Sequence, residues 1–361
     1  MLARLQTPGA STEKTLRAIA AFPLGWLAVC LLAPPLLPLP HLPVLSEKRA
    51  HFLAHAARYD VAFIGSSRVY RGFVPAVFDG EMRSLGHPTR SFNFAMEAVW
   101  PPESLFRVRE FLRMRSRVRW LFIELLPVNP RINPENTRAL RSIYWHDWRY
   151  TALAWRAVLN DETIPAREKC GLLALHGDLF LRRLSNVSRA AAALAPQLVP
   201  EMAKTTRKEF DFNTPWIAGE GFLPEPDIPM RPTAAAAFRH QAAAYAAQDL
   251  PPFTLPEYFR NELRDLATTV RAAGVVPIFI ITPSITRTEN FADLRSQGID
   301  ADLISFKDPA GFPALYDPTL HFDGPHLNAR GASELSRRLA HEFAALLPPG
   351  GASDHSPGSA R

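Results

Sequence analysis

The twelve residues 321–332, HFDGPHLNARGA, hold two histidines, an aspartate, an asparagine and two glycines. Asp323 and His326 stand three apart in a turn-forming stretch that Pro325 stiffens. A carboxylate in that place can hold an imidazole in one tautomer, and an imidazole so held can take a proton from a hydroxyl. A second stretch, FIGSSRVY at 63–70, offers the hydroxyl on Ser67. Serine is a poor nucleophile at neutral pH and needs such a base within hydrogen-bond reach. The chemistry these residue types specify is acyl transfer through a serine ester. Each also has a plainer use: Gly-Ser-Ser caps helices, aspartate caps turns, and histidine lies on surfaces. A metal reading of His321, Asp323 and His326 lacks a further ligand cluster and is weak.

A scaffold must bring the two stretches together, and open α/β sheets bind ligands at the carboxyl ends of their strands. DVAFIG at 60–65 is a short apolar run ending in glycine, the pattern of a buried parallel strand. A helix candidate at 73–82 follows, then RSFNFA at 90–95 as a strand, 102–116 as an amphipathic helix and RWLFIELL at 119–126 as a third strand. The rhythm breaks over 130–256, where Ala-rich helical segments and a Pro- and Gly-rich loop read as an insertion in the position of a lid. It resumes with a helix at 258–274 closed by Gly274, the strand VVPIFIIT at 275–282, and a last helix at 331–347. The expected fold is α/β: three layers, α/β/α, around a parallel sheet, with a helical insertion.

At 361 residues the chain can hold one large domain with an insertion or two modest ones. An apolar share of 47% and a charged share of 21% are those of a globular protein, while 34 prolines are about twice the usual content and sit in connections. The net charge of +6 permits attraction to anionic lipid, polymer or nucleic acid. Arginines are spread along the chain with no zinc-finger spacing and no RNP-like aromatic motif, which argues against nucleic acid as a partner. Cys30 lies in an apolar run and Cys170 in a helical stretch, so no disulfide framework is inferred and the compartment stays open on that count. No cofactor is called for.

Residues 18–44 contain no Asp, Glu, Lys or Arg, a run longer than the roughly 20 residues that cross a bilayer. The natural reading is an uncleaved transmembrane anchor over 18–45; a cleaved signal peptide is the alternative, but no clear small-x-small site closes the run. Pro34, Pro35, Pro38, Pro40 and Pro43 cannot all sit in one regular helix, so the helix is expected to end near Ala33 and a polyproline-like stalk to follow. Arg4, Lys14 and Arg17 precede the run, and Glu47, Lys48 and Arg49 follow it. The weak positive-inside bias puts residues 1–17 in the cytoplasm and the main domain, 46–347, outside it. The tail 348–361 has almost no large apolar residue and is expected to be disordered.

IGSSR at 64–68 and DGPHLN at 323–328 together resemble the first and last blocks of the SGNH, or GDSL, hydrolase superfamily, whose pattern is Gly-x-Ser and Asp-x-x-His. The resemblance spans about 59–347, apart from the insertion. It implies that Ser67 is the nucleophile, His326 the general base and Asp323 the residue that orients the base. Ser66 stands where many members have aspartate. Members with Gly-Ser-Ser, an N-terminal anchor and His-Leu-Asn after the aspartate are similar to envelope proteins of the teichoic-acid D-alanylation and alginate O-acetylation types. The middle blocks depart from the pattern. FNFAMEAV has Asn93 but no oxyanion-hole glycine, and Ala98 occupies the nearest equivalent place; its backbone N–H serves if the loop does not demand positive φ. Where the family has Gly-x-Asn-Asp, this chain reads FIELLPVNP, and Asn129 is either the side-chain donor to the oxyanion or a turn residue before Pro130.

Other residues carry two readings each. Arg68 either recognises an anionic group on the substrate or is a surface or ion-paired arginine at a helix start. YWHDWRY at 144–150, with His146 and Asp147, either stacks on sugar faces or packs its rings into the insertion's core. Glu124 either hydrogen-bonds in the floor of the site or fixes a loop. The expected function is that of a membrane-anchored serine O-acyltransferase or acyl esterase acting on a cell-envelope glycan or lipid-linked sugar, with the membrane, that acylated sugar and a membrane-bound acyl-donor protein as candidate partners. The rival is a catalytically degenerate SGNH domain that binds polysaccharide or scaffolds an envelope complex, and a third class is a structural, membrane-associated subunit.

Overall fold

The computed structural model describes residues 10–348 except 34, 35, 38, 41, 43, 115, 138, 187, 188, 190–218, 248–251, 286–289 and 292. The expected disordered tail from 349 on, Pro34, Pro35, Pro38 and Pro43 of the expected stalk, and 190–218 of the expected insertion lie outside the described residues. The chain divides into two compact units, one drawn from Pro43–Pro130 and Phe210–Arg361, the other from Met1–Leu42 and Arg131–Glu209.

The first unit is built on a five-stranded, wholly parallel sheet. Its strands are β1 (Val61–Ile64), β2 (Ser91–Asn93), β3 (Trp120–Glu124), β5 (Val276–Ile281) and β7 (Asp302–Ser305), in the order β2-β1-β3-β5-β7. A separate short parallel pair joins β4 (Pro252–Phe253) to β6 (Asn290–Phe291). β1 is buried along its whole length and β3 along all but its first residue, which is why both read as unbroken apolar runs rather than alternating ones. Helices cover both faces. On one side lie α3 (Ser67–Gly72), α4 (Pro75–Ser84) and α11 (Ala329–Leu346), which pack on one another; on the other lie α5 (Glu103–Leu112) and α10 (Glu257–Ala272). α11 shows why it docks: Leu335, Leu339 and Phe343 fall four apart on one buried stripe. Phe343 meets Phe122 of β3 at 5.1 Å between centroids, and Phe122 meets Phe63 of β1 at 5.2 Å, so the aromatic core runs directly beneath the strand that carries Ser67.

Two further helices of this unit were not placed there by sequence reasoning. α2 (Leu45–His55) follows the uncharged run and buries Leu45, Lys48 and Phe52. α9 (Pro232–Ala246) falls inside the expected insertion, yet Ala235, Phe238 and Ala242 belong to the core of the sheet unit. The second unit and the expected insertion therefore share a boundary near Pro130, while the described residues 219–256 belong with the sheet.

The second unit contains α1 (Ala10–Leu32), α6 (Leu140–Trp145), α7 (Trp148–Asn160) and α8 (Ala166–Leu184). α7 packs on α8, and Trp155 Nε1 donates to Leu173 O at 3.1 Å across the pair. α1 ends at Leu32, close to the expected end near Ala33, and Phe22, Leu24, Val29, Leu31 and Leu32 on it are exposed. Among the described residues, no helix is long and apolar enough to cross a membrane. The expected transmembrane helix over 18–45 thus finds no support in the fold. The uncharged part of α1 stops at 32, short of the roughly 20 residues that hydrocarbon requires.

Candidate active site

β1 ends at Ile64, and the chain turns through Gly65 and Ser66 into α3, whose first residue is Ser67. Because β2 and β3 lie on either side of β1, this turn sits where the winding of the sheet reverses, the place where open α/β sheets leave a crevice. Gly65 is required there. A Cβ on it would come within 2.5 Å of Val69 Cγ2 and 2.8 Å of Glu124 Oε2. Glu124 is buried at the end of β3, accepting from Ser66 N at 2.6 Å and from Thr282 Oγ at 3.1 Å. Of its two sequence readings, fixing a loop is the one observed: the loop is the nucleophile turn itself. Ser66 Oγ accepts from Arg68 N at 3.3 Å as the cap of α3, so Ser66 caps the helix and Ser67 stands free of that duty.

The structure brings Ser67, His326 and Asp323 into one line. Ser67 Oγ is 2.8 Å from His326 Nε2, and His326 Nδ1 is 2.9 and 3.0 Å from the two carboxylate oxygens of Asp323. A carboxylate only accepts, so the Nδ1 proton lies toward Asp323 and Nε2 is left as the acceptor for the serine hydroxyl. Asp323 also accepts the backbone N–H of His326 at 2.8 Å, which closes the loop on itself. Burial pushes the Asp323 carboxyl up, but the hydrogen bonds and charge of His326 outweigh it and hold the group below its usual range. Asn328 caps α11 by accepting from Gly331 N at 3.0 Å, and its amide reaches Thr319 O at 2.8 Å, fixing the far end of the loop.

His321 is not part of this line. It is buried, its Nε2 donates to Leu315 O at 2.8 Å, and its ring lies on Phe238 at 4.5 Å. Burial pushes its pKa down, as expected for a neutral ring engaged in packing.

The two departures from the family pattern can now be located. Ala98 has φ +51°, so the loop does demand the left-handed conformation that glycine adopts freely and alanine only at a cost. The loop is nonetheless well held. Met96 N donates to Gly65 O at 3.2 Å, Phe94 N to Phe63 O at 2.8 Å, and the buried Asn93 amide donates to Val69 O at 2.8 Å and Phe73 O at 2.9 Å. Asn129 lies in the coil after β3, where its backbone N–H donates to Pro101 O at 3.1 Å and ties that coil to the segment following Ala98. Arg68 has no carboxylate partner among the described residues; its guanidinium lies over the Trp100 ring at 5.9 Å. Arg71, one turn on, is instead ion-paired with Glu97 and Glu225.

In the helical unit, Tyr144, Trp145 and Tyr150 are buried, Asp147 caps α7 by accepting from Tyr150 N at 3.0 Å, and His146 Nε2 is 2.8 Å from His176 Nδ1. Packing is thus the observed use of that aromatic stretch, with Trp148 alone of its large rings exposed.

Sequence reasoning missed Lys48. It was counted among the charges flanking the uncharged run, yet it is buried beside Asn93 and Ala95. Its partners are backbone carbonyls, which leave no mark in a sequence. No protein-family model matches the chain, and no curated protein sequence matches it either.

Proposed function

We propose that the sheet unit is a serine acyl-transfer enzyme of the SGNH hydrolase type, an O-acyltransferase or acyl esterase acting on a cell-envelope glycan or lipid-linked sugar. One observation carries this reading: a continuous line from Ser67 Oγ through His326 to Asp323, at 2.8 and 2.9 Å, assembled from opposite ends of the chain at the carboxyl edge of β1. Capping needs no such line, because Ser66 already caps α3. In the proposed reaction His326 takes the Ser67 proton as the hydroxyl attacks an ester carbonyl, and Asp323 steadies the imidazolium that forms. His326 then returns the proton to the leaving alcohol. Water or a sugar hydroxyl, deprotonated in turn by His326, releases the acyl group from Ser67. The nature of that second acceptor separates esterase from transferase. Backbone N–H groups around Ala98 and the amide of Asn129 are the proposed donors to the oxyanion. Arg68, held by Trp100 beside the nucleophile and without a carboxylate partner among the described residues, is the proposed contact for an anionic group on the substrate.

The tether is a separate part of the proposal and rests on the uncharged run 18–44 alone. Reporter fusions after Ala50 should be active outside the cytoplasm; activity only inside it removes the tether and leaves the chemistry untouched.

A fluorophosphonate probe tests the chemistry. The expected result is one label per chain on the peptide containing Ser67 and none on Ser67→Ala. A label on Ser66, or none on the folded protein together with retained polysaccharide binding, replaces the enzyme with a binding scaffold.

A further inference from the structure

Lys48 has no access to solvent. α2 carries it beneath residues 93–98, where Nζ donates to Asn93 O at 2.9 Å and to Ala95 O at 2.5 Å and lies 3.8 Å from the centroid of the Tyr70 ring. Two carbonyl oxygens and a ring face are all electron-rich, so each of the three N–H bonds of an ammonium has somewhere to point. Burial pushes the Lys48 pKa well below that of an ordinary lysine, with the charge of Glu97 pulling the other way. A buried ammonium is expensive wherever it stands. This one stands between the strand β2 end of the proposed oxyanion loop and Tyr70 on α3, the helix that begins with Ser67.

We infer that Lys48 is a positioning residue: it clamps residues 93–98 onto α3 and thereby sets where the backbone N–H of Ala98 lies relative to Ser67 Oγ. This rests on the acyl-transfer reading, because only an oxyanion hole gives the loop's position a catalytic consequence. The loop has other attachments. Asn93 Oδ1 accepts from Ala95 N at 3.1 Å, the Asn93 amide holds α3, and Met96 N holds Gly65. Removing Lys48 therefore frees two carbonyls on one side and lets the loop shift rather than dissolve. A shift of about 1 Å in a catalytic donor costs about 10²-fold in rate.

Lys48→Met keeps the apolar stem and deletes the N–H donors. With p-nitrophenyl acetate as substrate, kcat per Ser67 titrated by the fluorophosphonate should fall by about 10- to 100-fold, while KM changes by less than about twofold. A merely structural lysine would lower the melting temperature and the number of titratable sites but leave kcat per titrated site at the wild-type value; that result overturns the proposal. Should Lys48→Met not fold, Tyr70→Leu decides in its place. It removes the ring against Nζ together with a hydroxyl that has no hydrogen-bond partner among the described residues, so no donor is stranded. A several-fold lower kcat per titrated site at constant KM supports the clamp, and an unchanged kcat sinks it. Wild-type protein that neither labels nor turns over ester brings down the acyl-transfer reading and the clamp together, whereas active wild type beside a fully active variant brings down the clamp alone.

Discussion

The two halves of the proposed triad are held in different ways. Ser67 begins a helix on a turn that is locked from below: Gly65 has no room for a Cβ, Ser66 N is bound by the buried Glu124, and the aromatic core of Phe63 and Phe122 lies underneath. Asp323 and His326 sit on a loop with far less beneath it, the Asp323 side chain 46% exposed and that of His326 21%. The nucleophile is positioned by the core. The base is positioned mainly by its own carboxylate, through three contacts within four residues. Precision on one side and self-contained geometry on the other is a workable division, since the hydroxyl must face a fixed oxyanion site while the imidazole must gain and lose a proton in contact with solvent.

Four substitutions probe that contrast. The largest loss is expected for His326→Ala, about 10³-fold or more in kcat, because no other group in the line accepts the serine proton. Asp323→Ala should retain at least about tenfold more activity than that, since water can partly replace a half-exposed carboxylate. Steady-state kinetics on p-nitrophenyl acetate measures both, and wild-type rates in either variant remove the triad. Next, Asn129→Ala should lower kcat by about 10²- to 10³-fold with little change in melting temperature, the effect of deleting one preorganised donor. Intact turnover with a lower melting temperature would make Asn129 a turn residue before Pro130 instead.

On the locked side, Gly65→Ala tests the core's grip. Its Cβ must push Val69 or Glu124 aside, which should cost about 1–3 kcal/mol in a denaturant titration and shift the turn enough to weaken labelling of Ser67. Full labelling with unchanged stability would mean that the turn is softer than its contacts imply. The smallest effect is expected for Ala98→Gly. Glycine keeps the N–H and relieves the left-handed strain at φ +51°, so turnover should stay within about twofold and stability rise by about 1 kcal/mol. A large loss of kcat would show that alanine's restriction of the loop is itself needed.

The same contrast explains what could be read from sequence. The interior strands β1, β3 and β5 are continuous apolar runs, and the ends of β1 and of the loop before α11 carry residue types with few alternative uses in combination; both were legible. β7, Asp302–Ser305, was not, because it is a half-exposed edge strand of four residues in which a single position is buried. α9 was assigned to the insertion because an alanine-rich helix has little pattern to say which core it joins. Glu124 and Lys48 were the hardest. A charge in sequence ordinarily means solvent, and both are buried to satisfy backbone groups of residues far away in the chain: Ser66 in one case, Asn93 and Ala95 in the other.

Ser67 and His326 are 259 positions apart, and the helix that follows the histidine must dock on α3 and α4 before their side chains can meet. Contacts of such separation are costly to close and tend to form late, after local helices and neighbouring strands. During synthesis the serine emerges early and then waits through nearly the whole of translation without a base. On the proposed reading, a chain stalled or cleaved before residue 326 would carry an inert hydroxyl, and acquiring activity would report that the last helix has closed over the sheet. The rate at which refolding protein becomes reactive to the fluorophosphonate would then time the final docking step rather than the formation of the sheet.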